Sequence, residues 1–171
     1  HGDMTFGGNA ALDVSALRLE GGAALTLEDG EAVSLSSLNT DAQTKLTLNR
    51  DLKLTGSGNI AGTFDGTGTL TFDGKNSAEG VAGDTLTIGN TDVAQGTKTA
   101  FGGSIDFRGG TLEFAAGEGS TVDYAGISIS GTGKNVVKTG AGTVKLSREA
   151  DATNAISLTA WNVSVEAGEL A

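Results

Sequence analysis

Apolar and polar residues alternate in short runs along almost the whole chain. Leu17-Arg18-Leu19, Ala24-Leu25-Thr26-Leu27, Val33-Ser34-Leu35, Lys45-Leu46-Thr47-Leu48 and Leu52-Lys53-Leu54 begin the series. Thr69-Leu70-Thr71-Phe72, Thr85-Leu86-Thr87-Ile88, Ile105-Asp106-Phe107, Leu112-Glu113-Phe114 and Val122-Asp123-Tyr124 continue it. Ile127-Ser128-Ile129, Val144-Lys145-Leu146, Ile156-Ser157-Leu158 and Val163-Ser164-Val165 complete it. A period of two places one set of side chains inside and the other in water. The pattern predicts an all-β protein built from short strands. Turn signals such as Gly21-Gly22, Asp29-Gly30, Asp65-Gly66, Asp73-Gly74 and Gly109-Gly110 separate the runs. Asp29, Asp65 and Asp73 are expected to be turn residues, since Asp bonds its own following backbone in such turns.

Strands of three or four residues are too short for isolated hairpins. Their spacing points to a coil instead. Leu25 to Leu46 is 21 positions, Leu46 to Leu70 is 24, Val122 to Val144 is 22 and Val144 to Val163 is 19. A recurrence near twenty, with two or three mini-strands per interval, predicts a right-handed parallel β-helix. Its single-stranded coils would hold about 20–24 residues each, giving roughly seven or eight coils over about 35 Å. The expected core is Leu25, Leu27, Leu46, Leu48, Leu70, Phe72, Leu86, Ile88, Leu112, Phe114, Val144, Leu146, Val163 and Val165.

No composition break divides residues 1–171, which read as a single β-helix segment of a longer protein. His1-Gly2 has the look of a tag remnant. Residues 75–84, 90–100 and 147–156 read as loops off the core. Residues 3–16 are expected to fold across the first coil as a cap. Glu169-Leu170-Ala171 stops where a further strand would continue, so the C-terminal coil should be the less stable end.

Composition narrows the function. The chain has 28 Gly, no Cys and no Pro, and its one His is His1. Disulfides, thiolate metal sites, Cys nucleophiles and a Ser-His-Asp triad are therefore excluded within it. Eleven basic residues against 21 acidic ones give a net charge of −10. That charge repels nucleic acid and anionic lipid. No apolar run approaches the roughly 20 residues of a membrane helix.

One segment is more specific. Val137-Lys138-Thr139-Gly140-Ala141-Gly142-Thr143-Val144-Lys145-Leu146-Ser147 is followed by a loop, then Ile156-Ser157-Leu158 and Trp161-Asn162-Val163-Ser164-Val165-Glu166-Ala167-Gly168-Glu169-Leu170. Glycines here let a tight corner pass the neighbouring coil where a Cβ would collide. Val144 and Leu146 should point inward and Lys145 outward. The segment resembles the passenger-associated repeat of bacterial autotransporters, with Lys138, Gly140, Gly142, Val144, Leu146, Gly168 and Leu170 at the repeat's positions. Gly66-Thr67-Gly68-Thr69-Leu70-Thr71-Phe72 is similar to a second, partial copy, with Phe64-Asp65 where the lysine would fall. The resemblance implies a β-helical passenger exported across the outer membrane through a C-terminal barrel.

Candidate chemistry is sparse. Asp106, Arg108, Asp123 and Lys145 occupy outward positions that would align if the chain were a polysaccharide-cleaving β-helix enzyme, and otherwise are solvated strand faces. Gly102-Gly103-Ser104-Ile105-Asp106 lacks the third Gly of a calcium nonapeptide. Gly56-Ser57-Gly58 and Gly66-Thr67-Gly68 lack the Lys-Ser/Thr of a phosphate loop. Tyr124 and Trp161 would stack on a sugar if exposed, but Trp161 has the inward parity of Val163 and Val165. Asn162-Val163-Ser164 matches the glycosylation sequon.

The expected function is a non-catalytic, cell-surface or extracellular passenger segment acting as adhesin, stalk or passenger-folding module, without cofactor or metal. Expected partners are a host or bacterial surface glycan or protein, with self-association open, and neither nucleic acid nor membrane insertion. The alternatives are a polysaccharide-degrading enzyme on the same fold and a carbohydrate-binding β-sandwich. The sandwich alone requires antiparallel strands.

Overall fold

The computed structural model describes residues 2–7, 14–91, 98–133, 135–146 and 162–171. Strand alternation converts directly into burial: Leu46 and Leu48 are inside while Lys45 and Thr47 face water, and Leu70 and Phe72 repeat the arrangement. In chain order the strands are β1 Met4–Phe6, β2 Ala16–Leu19, β3 Ala24–Leu27, β4 Val33–Leu35, β5 Ser37–Thr40 and β6 Lys45–Leu48. Then come β7 Leu52–Leu54, β8 Gly58–Ile60, β9 Thr63–Asp65, β10 Thr69–Asp73, β11 Thr85–Asn90 and β12 Lys98–Gly109. The last are β13 Thr111–Ala116, β14 Thr121–Ser130, β15 Asn135–Thr139, β16 Thr143–Lys145, β17 Asn162–Val165 and β18 Glu169–Leu170. Among the described residues there is no helix.

The strands stack as a parallel β-solenoid of about six turns. A first face runs β2-β5-β8-β11-β13-β15-β17 and a second β1-β3-β6-β9; a third is β4-β7-β10, continued by the later parts of β12 and β14, whose starts carry β16 and β18 in the same sheet. Strand ladders pair in parallel throughout; the one antiparallel contact described is an isolated bridge between Ala78 and Val81. The antiparallel sandwich is therefore not the fold. Six spacings of about 4.8 Å make the first face about 29 Å long. Both turn count and length fall short of the expected seven or eight coils and 35 Å. The reason is that coils lengthen along the chain. Leu46 stacks on Leu25 after 21 positions and Phe64 on Leu46 after 18. Leu86 follows Gly58 after 28 and Leu112 follows Leu86 after 26.

β12 and β14 are long enough to serve two faces. The Ser104–Phe107 part of β12 pairs with β10, whereas Lys98–Ala100 pairs with the start of β14. Residues 98–100 are thus strand, not the loop expected there. A register shift between Ala100 and Gly102 lets the strand turn without a loop. The 75–84 segment does leave the core as expected. Residues 147–156 lie outside the described residues.

β1 does not cross the first coil as a cap. Met4, Thr5 and Phe6 pair in register with Leu25, Thr26 and Leu27, adding one more parallel rung. Apolar side chains fill the interior as ladders, with Leu25, Leu46 and Phe64 at 0–1 % exposure. Phe72 and Phe107 stack with centroids 6.0 Å apart and planes 9° from parallel. Two members of the expected core depart. Val163 and Val165 are 44 % and 48 % exposed. They belong to the outermost described rung of the first face and pair on one side only, with Val136 and Lys138.

Corners carry the polar cost of the fold. Their backbone groups cannot join a ladder, so side chains bind them across coils. Asp41 accepts from Gly21 N at 2.6 Å, one coil earlier, and from Gln43 N at 3.0 Å. Arg50 is 4 % exposed and donates to Glu28 O and, at 3.0 Å, to Phe6 O. One guanidinium thus ties the same corner of three successive rungs.

Candidate functional site

The repeat-like segment converges on a single corner. Val136 and Lys138 take the inward positions of β15, and Lys138 is 1 % exposed. Its ammonium donates to Thr139 O at 3.0 Å, to Gly140 O, and to Ala167 O of the next coil at 2.8 Å. Burial lowers the Lys138 pKa from its usual value. Gly140 has φ +74°, and a Cβ there would lie 2.3 Å from Ala116 O. A Cβ on Gly142 would lie 2.1 Å from Gly117 O, and one on Gly168 2.5 Å from Lys138 Nζ. The Gly142 amide instead reaches Ala116 O of the previous coil at 2.9 Å. The partial copy builds the same bond, Gly68 N to Leu48 O at 2.7 Å. Val144 is buried, Lys145 exposed, and Leu146 and Leu170 half-buried against the core. Lys138, Gly140, Gly142 and Gly168 thus sit where successive coils meet.

The charged candidates do not converge. Asp106 accepts from Arg108 Nε at 2.7 Å, and this pairing raises the Arg108 pKa. Asp123 stands in register with Ala100 and Lys145, whereas Asp106 stands in register with Ser130. Ala100 and Asp106 are six positions apart on one strand, which at about 3.3 Å per residue is about 20 Å of chain. Asp65 and Asp73 bond neighbouring coils instead of their own turns. Asp65 accepts from Thr47 Oγ1 at 2.7 Å and pairs with Lys45 at 3.2 Å. Asp73 pairs with Lys53 at 2.8 Å. Gly102–Asp106 lies within β12, not in a calcium-binding turn. Among the described residues no three His, Cys, Asp or Glu side chains gather as a metal site.

Tyr124 is fully buried. It donates to Ile88 O at 2.8 Å and meets Phe114 edge-on at 4.8 Å and 66°. Desolvation drives its pKa well above the usual value. It is a core residue and no sugar platform. Trp161 lies outside the described residues. Asn162 is exposed on β17.

The sequence did not single out one further feature with room for a ligand. The outward positions of the first face align Arg18, Asn39, Asn59, Thr87 and Glu113 in register. Two depressions of about 370 and 360 Å³ follow this line and meet at Asn59. Arg18, Asn39, Thr40 and Asp41 line one, and Thr87, Asn90, Thr91 and Glu113 the other. Together they form a polar trough over five rungs, about 19 Å at about 4.8 Å per rung.

Hydrogen bonding along the trough is interrupted at Asn59. The Asn39 amide turns to Ser37 Oγ on its own strand at 3.0 Å. The Thr87 hydroxyl turns to Glu113 Oε2 on the next coil at 3.0 Å. Asn59 Oδ1 is left buried without a partner. Asn39 and Asn59, 20 positions apart, carried the sequence signal for this ladder. In comparisons with known proteins, no family model, no curated protein and no solved structure matches this chain.

Proposed function

We propose that the chain is a non-catalytic β-helical passenger segment of an autotransporter-like surface protein, serving as adhesin and stalk. The observation that carries this reading is the Lys138 corner. Residues that resemble the passenger-associated repeat bond one coil to the next, as Lys138 does to Ala167 O and Gly142 N to Ala116 O, and this supports a part for the motif in building the rod. Parallel stacking supplies stiffness, since each coil is bonded to its neighbours along the faces. Outward Thr, Asn, Asp and Lys side chains keep the rod soluble and offer it polar surface.

Export is the testable core of the proposal. In the cell that makes it, an epitope placed at the exposed tip Glu79-Gly80 should bind antibody on intact cells, and added protease should remove it. Signal that appears only after lysis would overturn the reading.

A further inference from the structure

We propose that the trough along the first face binds an uncharged polysaccharide chain, an assignment that rests on the adhesin reading and gives it a site. Charge is the first argument. The trough carries Glu20, Asp41 and Glu113 against Arg18. Arg18 is itself tied to Glu20 in an ion pair. On a chain of net charge −10, a polyanion would be repelled.

Chemistry is the second argument. The lining is carboxamide, hydroxyl and carboxylate, with Leu19 and Ala115 its only apolar members among the described residues. Such groups pair with hydroxyls that both donate and accept. An extended peptide is a poorer fit. It binds sheets by adding to an open edge, and here the floor is the middle of a ladder whose backbone groups already pair from β2 to β13.

Asn59 is the third. Its neighbours direct their donors away, so its buried oxygen lacks the partner that a parallel Asn ladder would give it. Asn59 lines both depressions, and a sugar hydroxyl seated beside it would offer that oxygen the donor it lacks. Because both depressions meet there, one elongated ligand crosses Asn59 at its middle.

Affinity electrophoresis in gels containing dextran, β-glucan or galactomannan tests the site, with heparin and polygalacturonate as the polyanionic arm. At least one neutral polymer should retard the chain. Asn59→Ala should weaken that retardation about tenfold, the worth of roughly one well-placed polar contact. Thr71→Ala, an outward change on the third face, should leave it unchanged. Asn59→Ala removes an oxygen with no partner, so its thermal unfolding should match the parent. Should it fail to fold, Thr87→Trp, which fills the trough, must abolish retardation instead. Retardation by no neutral polymer, retardation by polyanions only, or equal retardation of the parent and the trough variants each overturns the assignment. Those results leave surface exposure standing, because antibody access to the 79–80 tip is read separately.

Discussion

Replacing Lys138 with Met isolates the role of the corner. The side chain keeps its length and burial but loses three donors to Thr139 O, Gly140 O and Ala167 O. Hydrogen bonds to a charged group contribute about 1.5–3 kcal/mol each. Against that stands the desolvation of an ammonium that is 1 % exposed and has no carboxylate among these three partners. Water replaces part of the loss, since Gly168 lies at the surface. A net cost of about 2–3 kcal/mol remains. It should fall on the rung that Ala167 belongs to, because a solenoid coil depends mainly on its neighbours. Native-state hydrogen exchange reads this directly. The amides of Glu166, Glu169 and Ala171 bond Lys138 O, Gly142 O and Val144 O at 3.0, 3.2 and 2.9 Å. In the Met variant their exchange should quicken by about 30- to 150-fold, the equivalent of that energy. The amides of Leu70–Phe72 in β10 should hardly change. An acceleration under about threefold at 166–171, or equal acceleration in β10, would refute the argument.

The same corner has a pH signature. Unfolded Lys138 keeps its proton up to about pH 10.5, while the folded one releases it lower. Between those values the unfolded state binds more protons, so the parent should gain stability relative to Lys138→Met as pH rises through that window; urea midpoints at pH 8 and 10 would show it. Arg50→Met should quicken exchange in β1 and β3 selectively, since the guanidinium bonds Phe6 O and Glu28 O. Tyr124→Phe leaves Ile88 O without its phenolic donor and should cost about 1–3 kcal/mol in urea unfolding; an unchanged midpoint would contradict it. Gly142→Ala places a Cβ 2.1 Å from Gly117 O, and folded yield should fall sharply while Ala141→Gly is tolerated.

Which residues face inward was legible in the sequence, because alternation is local. Leu25, Leu46, Leu70, Leu86 and Leu112 are all at 0 % exposure. Which residues stack on one another was not. Leu46 sits under Phe64 and Leu70 over Leu52, so the interval from Leu46 to Leu70 compared two different faces. All three faces use the same apolar–polar–apolar triplet, and nothing local marks the face. Val122 to Val144 was a true rung because both lie on strands of equal position in their coils. Val144 to Val163 was not: Val144 pairs with Leu170 and Val163 with Val136.

The buried cations and the open trough follow from one constraint. A parallel coil must turn a corner every few residues, and each corner strands backbone carbonyls that the next ladder cannot reach. Two inward alternations therefore end on a cation: Leu46-Thr47-Leu48-Asn49-Arg50 and Val136-Val137-Lys138. At both, the inward parity continues through the charged residue, and the head group leaves the apolar core for the corner carbonyls. A cation at inward parity in the last residues of a strand or just past it is thus a readable mark of such a corner. Outward positions face no such demand. Their side chains are free to pair along the strand, as Asn39 does with Ser37, or across coils, as Thr87 does with Glu113. Where those choices diverge, at Asn59, an acceptor is left over. The interior thus fixes the rod, and the unpaired acceptor belongs to a side chain at an outward position. That separation allows Asn59 to be changed without disturbing coil stacking, whereas Lys138 cannot be.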